Sequence, residues 1–135
     1  MVGAAVLTAA APWTPVNTRV LNPDMTDDPT VTDPDKYKVI FENDQVRVLE
    51  YVDHPGDRTQ PHDHPDSVMY TLSTFRRRLY GADGESRDVE LTAGEVRWVG
   101  AQRHAGENIG NSDSHSIFVE LKGATGGATS ALGPE

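Results

Sequence analysis

Three histidines in this sequence have the side-chain type and spacing of a metal site. His62 and His64 are separated by one residue, and a β-strand sends residues i and i+2 to the same face, so one cation could contact both imidazoles. Pro61 and Pro65 flank the pair and restrict the backbone, which lowers the ordering cost of binding. His104 follows a second glycine-punctuated segment and can lie across from the pair.

The absence of cysteine narrows the chemistry of such a site. No disulfide, thiolate zinc site or thiol nucleophile is available, so a metal must be held by His, Asp, Glu, Asn or Gln. The two remaining histidines are expected to be surface residues: His54 falls in a turn, and His115 begins the last predicted strand without a partner motif.

Composition and charge exclude several classes of function. The 135 residues fit one compact domain, and a net charge of −9 would repel nucleic acid and an anionic membrane surface. The longest apolar stretch, 2–11, is too short to cross a bilayer, which needs about 20 apolar residues. Only Met1 precedes that stretch, so a secretory signal with a basic start is not expected, and we predict a cytoplasmic protein.

The residues that position the histidines fall in a central segment. Five of nine prolines lie in 1–36, which predicts an extended proline-rich N-terminal arm. The Gly, Ala and Thr composition of 123–135 is typical of a flexible tail. The domain is therefore predicted at 37–122.

Short runs rich in β-branched and aromatic residues recur through this domain between turn signals. No long segment keeps a helical apolar period, so the fold class is predicted to be all-β, a sandwich or barrel with little helix. The predicted strands lie near 37–42, 45–53, 67–74, 75–80, 86–91, 95–99, 104–109 and 114–122.

The two histidine segments resemble the two conserved motifs of the cupin superfamily. Gly56, His62 and His64 match the first motif, and Gly94, His104 and Asn108 match the second with one residue fewer before the histidine. The resemblance implies a double-stranded β-helix, a small jelly-roll barrel with one divalent metal ion per chain in its mouth.

A closer resemblance is to the small single-domain cupins associated with β-alanine degradation. The residues that carry it are the segments 62–68, 104–108 and 119–122. This subgroup implies no particular reaction.

The sequence departs from the cupin pattern at the carboxylate ligand, where Val68 or Met69 stands. Three neutral imidazoles leave the double charge of a metal uncompensated, so the site should prefer a small anionic oxygenated metabolite. Asp66 has the strand parity of a substitute ligand, and Glu107 is a second, weaker alternative.

Strand parity also predicts the substrate pocket. Val68 and Tyr70 continue the inward face of His64, with Tyr70 as a tentative catalytic proton donor, and Trp98 could reach the same space. Gln60 and Gln102 flank the histidine motifs and could donate hydrogen bonds to a bound ligand. The run 76–78 of three arginines is expected to be a solvated strand edge.

The three histidines predict a mononuclear metalloenzyme, and the resemblance to three-histidine cupins implies chemistry of dioxygenase type. Iron is the preferred metal, with nickel, manganese or zinc as alternatives. A non-catalytic metabolite-binding cupin and a metal-dependent isomerase or lyase are the other hypotheses. Because so small a barrel buries a modest fraction of its surface, a homodimer is expected.

Overall fold

The computed structural model describes residues 27–123 and 132–135, and nearly all of their regular structure is β-strand. One four-residue helix, α1, spans Pro29–Thr32. The strands are β1 Tyr37–Glu42, β2 Val46–Asp53, β3 His62–His64, β4 Ser67–Thr71, β5 Phe75–Gly81, β6 Ser86–Leu91, β7 Val96–Val99, β8 Gln102–Asn108 and β9 Ser114–Leu121. The all-β prediction is confirmed for the described part of the chain.

The strands form two antiparallel sheets that enclose a core. One sheet has five strands in the order β1-β2-β9-β4-β7, and the other has four in the order β3-β8-β5-β6. The core cluster between them consists of Tyr37, Leu49, Tyr51, Met69, Phe75, Leu91, Val99 and Phe118. Because the chain crosses between the two sheets several times, residues distant in sequence meet inside the barrel.

Regular alternation in β2 and β9 shows how the five-stranded sheet divides its residues between its two faces. The two strands pair without a break from Val46 opposite Leu121 to Asp53 opposite Ser114. Every second residue of each strand is buried. The pleat sends one set into the barrel and the other set to the outer surface.

The turns lie where the sequence predicts them. Gly84 and Gly94 have φ of 82° and 93°, a region that side chains other than glycine rarely adopt. They occupy the tight connections between β5 and β6 and between β6 and β7.

The N-terminal arm differs from the extended segment predicted for it in the part that is described. Residues 27–36 contain α1, whose first turn is capped by the Asp28 carboxylate accepting a hydrogen bond from the backbone N–H of Thr30 at 2.8 Å. Asp63 donates its backbone N–H to the carbonyl of Asp27 at 2.7 Å, which holds this segment against β3. Residues 1–26 lie outside the described residues.

The C-terminal tail also differs from the prediction of a flexible segment. Its residues 132–135, named here the C-terminal strap, pack against the barrel, and Gly133 and Pro134 are buried. Gly133 donates its N–H to the Gln102 side-chain oxygen at 2.7 Å, and Glu135 donates its N–H to the carbonyl of Trp98 at 2.8 Å. Composition alone did not reveal these contacts, because they depend on partners 30 or more residues away in sequence.

Candidate metal centre

Three buried imidazoles converge at one end of the barrel. His62 and His64 lie on β3, His104 lies on β8, and the pairing of these strands places His62 directly opposite His104. The ring centroids of His62 and His64 are 4.6 Å apart, and each lies 5.0 Å from that of His104. One ligand nitrogen from each ring lies within 4.8 Å of the other two.

Each imidazole has an oxygen beside its Nδ1 atom. Nδ1 of His62 lies 2.8 Å from the backbone carbonyl oxygen of Gln60, and Nδ1 of His104 lies 2.7 Å from the side-chain oxygen of Gln102. Nδ1 of His64 lies 3.5 Å from a carboxylate oxygen of Glu120. For His62 and His104, the acceptor at Nδ1 favours the tautomer that carries its proton there, which leaves Nε2 with a free lone pair for a metal.

The donor set fits a metal ion. Nε2 of His62 is buried and has no hydrogen-bond partner among the described residues. An orphaned buried acceptor costs free energy unless something binds it, and a cation shared by three imidazoles would satisfy it. Three neutral nitrogen ligands suit Fe, Ni, Mn or Zn ions.

The electrostatics keep two of these imidazoles, His62 and His104, neutral. Burial, assisted by the neighbouring His64, lowers the pKa of His62 to about 3. Burial followed by the same neighbour lowers the pKa of His104 well below its usual range. Because only the neutral ring can donate a lone pair, both rings are in the metal-binding form at physiological pH.

The predicted substitute carboxylate ligand is not in the cluster. The Asp66 carboxylate instead accepts a hydrogen bond from the backbone N–H of Ala101 at 2.8 Å. The Glu107 carboxylate accepts one from the Tyr80 hydroxyl at 2.7 Å. Among the described residues, the protein ligands that converge are the three imidazoles.

A small cavity of ≈ 40 Å³ adjoins His62 and His104 inside the barrel. Its apolar wall is formed by Met69, Phe75, Leu79, Val89, Leu91, Val99 and Phe118, and Pro134 of the C-terminal strap also lines it. A cavity of this size holds on the order of three water-sized groups. The space beside the imidazoles therefore suits a very small ligand.

The prediction that Val68, Tyr70 and Trp98 line this pocket is wrong. Tyr70 and Trp98 are 43% and 39% exposed, and Val68 pairs with Trp98 on the outer face of the five-stranded sheet. Pro65 and Asp66 separate β3 from β4, and the chain changes sheets there, so the alternation does not continue from His64. Met69 is the inward residue, and Tyr70 has no catalytic position.

The two predicted glutamines differ in role. The Gln60 side chain is exposed, and only its backbone carbonyl reaches the site, at Nδ1 of His62. The Gln102 side chain accepts at one oxygen from both His104 and Gly133, so it connects a histidine of the cluster to the C-terminal strap. Neither glutamine lines the cavity.

Arg77 lies on the cavity wall, although the arginine run was expected to be a solvated edge. Strand β5 lies between β8 and β6 in its sheet, so it is not an edge. Arg77 is buried and pairs with Asp53 at 2.5 Å, and a Cβ added at Gly106 would lie 2.3 Å from its Nη2 atom. The signal was available in the sequence, since Phe75 and Leu79 share its strand face.

Glu120 is a second buried charged residue that the motif reasoning missed. It is fully buried on β9 beside His64, and its other oxygen accepts from Nε of Arg47 at 2.9 Å. Arg47 also pairs with Asp28 at 2.9 Å. The parity of β9 places Glu120 on the same face as buried Phe118, which was the available signal.

His54 and His115 take the surface roles predicted for them. Nδ1 of His54 lies 2.9 Å from the Asp113 carboxylate, and this pair is exposed. Nε2 of His115 lies 2.7 Å from the Glu50 carboxylate on the outer face of the five-stranded sheet. Neither ring belongs to the metal cluster.

Solved structures similar to this chain are cupin proteins. A cupin domain from Bordetella pertussis is 26% identical with a TM-score of 0.59, over 64% of this chain and 91% of that one. A conserved double-stranded β-helix protein from Klebsiella pneumoniae is 22% identical with a TM-score of 0.53, over 73% and 84%. A cupin from Methanocaldococcus jannaschii is 14% identical with a TM-score of 0.53, over 64% and 78%.

No protein-family model and no curated protein matches the chain. The strand order and the structural neighbours establish the cupin double-stranded β-helix fold and support membership of the cupin superfamily. Within the described residues, no helix is long and apolar enough to cross a membrane. The resemblance to the β-alanine-associated subgroup stays a prediction.

Proposed function

We propose that this protein is a metal-dependent oxidoreductase of dioxygenase type that acts on a small anionic oxygenated metabolite. His62, His64 and His104 would hold the ion, with iron preferred and nickel, manganese or zinc as alternatives. The observation that carries the proposal is the convergence of three buried imidazoles beside an apolar cavity.

The charge of the ligand set supports an anionic substrate. Three neutral imidazoles cancel none of the double charge of a divalent ion, and the cavity wall around them is mostly apolar. When bound, the metal would supply open positions for the substrate and for dioxygen. The apolar wall excludes water from the reacting groups. Dioxygen is itself apolar and can occupy such a space.

The titratable residues of the cavity favour oxygenase over isomerase or lyase chemistry. Proton abstraction needs a general base within hydrogen-bond reach of the substrate, and no carboxylate lies among the described residues that line this cavity. Burial raises the pKa of both Tyr37 and Tyr51, so these phenols stay protonated and cannot act as the general base.

Tyr37 has the position that the sequence predicted for Tyr70. Its ring centroid lies 5.5 Å from that of His62 and its side chain lines the cavity. We therefore assign Tyr37 the role of hydrogen-bond donor that orients the substrate. Tyr51 is less available, because its hydroxyl already donates to Asp53.

The test combines metal analysis with dioxygen uptake. Elemental analysis of purified protein should find about one metal per chain, and His62→Ala should remove it, whereas His115→Ala should not. The iron-loaded protein should consume dioxygen with a member of a panel of small carboxylates and β-dicarbonyl acids. Metal binding with substrate turnover but no dioxygen uptake would refute the oxygenase and favour the isomerase or lyase.

The same purified protein can be used to distinguish the proposed enzyme from a non-catalytic binding protein. Thermal-shift measurements after metal stripping would show stabilisation by a carboxylate or sugar ligand if the barrel were a metal-free receptor. The proposed function predicts that such stabilisation requires the metal. Equal stabilisation with and without metal would contradict it.

A further inference from the structure

The five-stranded sheet carries apolar side chains on both faces, since its inward residues build the core and its outer face is also rich in apolar residues. An antiparallel sheet that covers a core normally places apolar residues inward and polar residues outward. In β9 the outward residues include Ile117, Val119 and Leu121, whereas Ser114 and Ser116 are among the inward ones. The outer face is therefore built to be covered.

One apolar row crosses all five strands. The strand registers place Val48 opposite both Phe41 and Val119, Val68 opposite Val119, and Trp98 opposite Val68. Directly paired residues point to the same side of a sheet, and an irregularity in β1 before Phe41 brings that ring to this side.

A second apolar row lies beside the first. Ile117 is paired with Tyr70, which is in turn paired with Val96. Together the two rows make the outer apolar face. Phe41 and Val96 within it are 54% and 61% exposed, well above what an apolar core residue shows.

The size of the outer apolar face approaches what a stable dimer needs. Five strands spaced about 4.8 Å apart and about six residues long span roughly 24 by 20 Å. That is roughly 480 Å² in projection, and the accessible area of a surface covered by side chains is larger. A standard interface buries about 800 Å² per partner, whereas monomers rarely expose apolar patches beyond a few hundred Å².

The charges on this side of the sheet favour a second copy as the occupant. A chain with a net charge of −9 would repel its copy unless the contacting surface were neutral. The first row contains no charged residue, and the second row continues from Ile117 to the oppositely charged Glu50 and Lys38. Glu50 also pairs with His115 at 2.7 Å, so the ionisable side chains on this side of the sheet balance.

We propose that two copies of this chain associate through the outer apolar face, related by a two-fold axis. In such an arrangement the face meets itself, so it can be self-complementary. Each barrel keeps its metal centre on the inside of the sheets, away from the contact. The outer apolar face would then be the interface of the homodimer that the small size of the domain predicts.

Sedimentation equilibrium of the full chain tests the proposal, with Tyr70→Glu and Val119→Glu as interface variants and Val31→Glu as the control. Val31 is 76% exposed on α1 and belongs to neither apolar row, so its substitution adds the same charge outside the outer apolar face. The wild type and Val31→Glu should be dimers at micromolar concentration. Tyr70→Glu should raise the dissociation constant at least 100-fold, since each dimer carries the substitution twice.

Circular dichroism and metal content show whether the variants fold. Tyr70 is half exposed, so its variant should fold even where Val119→Glu does not. A monomeric wild type would overturn the proposal, and so would a folded Tyr70→Glu that dimerises as tightly as the wild type. A monomer in which Trp98 is protected from hydroxyl-radical footprinting would show that another segment of the chain covers the face, and would overturn it as well.

Discussion

The carboxylate of Glu120 provides the sharpest test of how the barrel supports its metal ligands. It is fully buried, lies 3.5 Å from Nδ1 of His64 and accepts from Arg47 at 2.9 Å. Glu120→Gln keeps the shape of the side chain and removes its charge. The variant therefore changes two interactions: the support of one metal ligand and one side of a buried ion pair.

The two effects have different magnitudes. Mutation of the group behind a ligating histidine lowers metal affinity about 10-fold to 100-fold, or about 1.4 to 2.7 kcal/mol. Breaking a buried ion pair costs about 3 to 5 kcal/mol in stability. Because Arg47 keeps its contact with Asp28 at 2.9 Å, we expect about 3 kcal/mol, the lower end of that range.

Asp28→Asn is the matched control for the ion pair, because Asp28 pairs with the same arginine from the N-terminus of α1 and not from β9. Zinc affinity is measured by competition with a chromophoric chelator, and stability by urea unfolding of the metal-free protein. Both variants should lose stability, and only Glu120→Gln should lose zinc affinity. Equal zinc affinities in the two variants would refute the role given to Glu120.

Three other predictions follow from the buried groups and the C-terminal strap. The pKa of His62 is lowered to about 3 in the folded protein, whereas the unfolded chain protonates this ring below about pH 6.5. Protonation therefore favours the unfolded state, and the metal-free protein should lose about 2 kcal/mol of unfolding free energy between pH 7 and 4.5. Urea unfolding measures this, and an identical slope in His62→Gln would contradict it. Arg77→Met leaves the Asp53 charge buried without its partner and should cost about 3 kcal/mol of stability in thermal unfolding. Adding Asp53→Asn should restore part of that stability, and a double variant without any restoration would refute the pairing. Gly133→Val introduces a Cβ 2.1 Å from Leu79 and should release the C-terminal strap, so the stopped-flow rate of metal entry should rise about 10-fold. Gly123→Val is the control, because Gly123 also has a positive φ but a Cβ added there meets no described atom within 4 Å, and the rate should stay unchanged. Equal entry rates in the two variants would contradict a covering role for the strap.

The fold could be predicted largely because its signals are local. Turn residues such as Gly84 and Gly94 separate short β-branched runs, and local chain stiffness fixes where each strand begins and ends. The convergence of the histidines could also be anticipated, since the spacing of His62 and His64 places them on one strand face and the motif resemblance brings His104 across from them.

The pocket could not be predicted by the same reasoning, because alternation holds only within one strand. Two residues, Pro65 and Asp66, carry the chain from one sheet to the other, and the inward face passes from Tyr70 to Met69. The roles of Arg77 and Glu120 depend on partners brought together by the sheet register, which local patterns do not specify.

X-ray absorption fine structure of the zinc-loaded protein tests the central claim most directly. The account predicts three imidazole nitrogens in the first shell at about 2.0 to 2.1 Å. His104→Ala should reduce that number to two or abolish binding, and His54→Ala should change nothing. A first shell with fewer than three imidazoles in the wild type, or an unchanged shell in His104→Ala, would contradict the account.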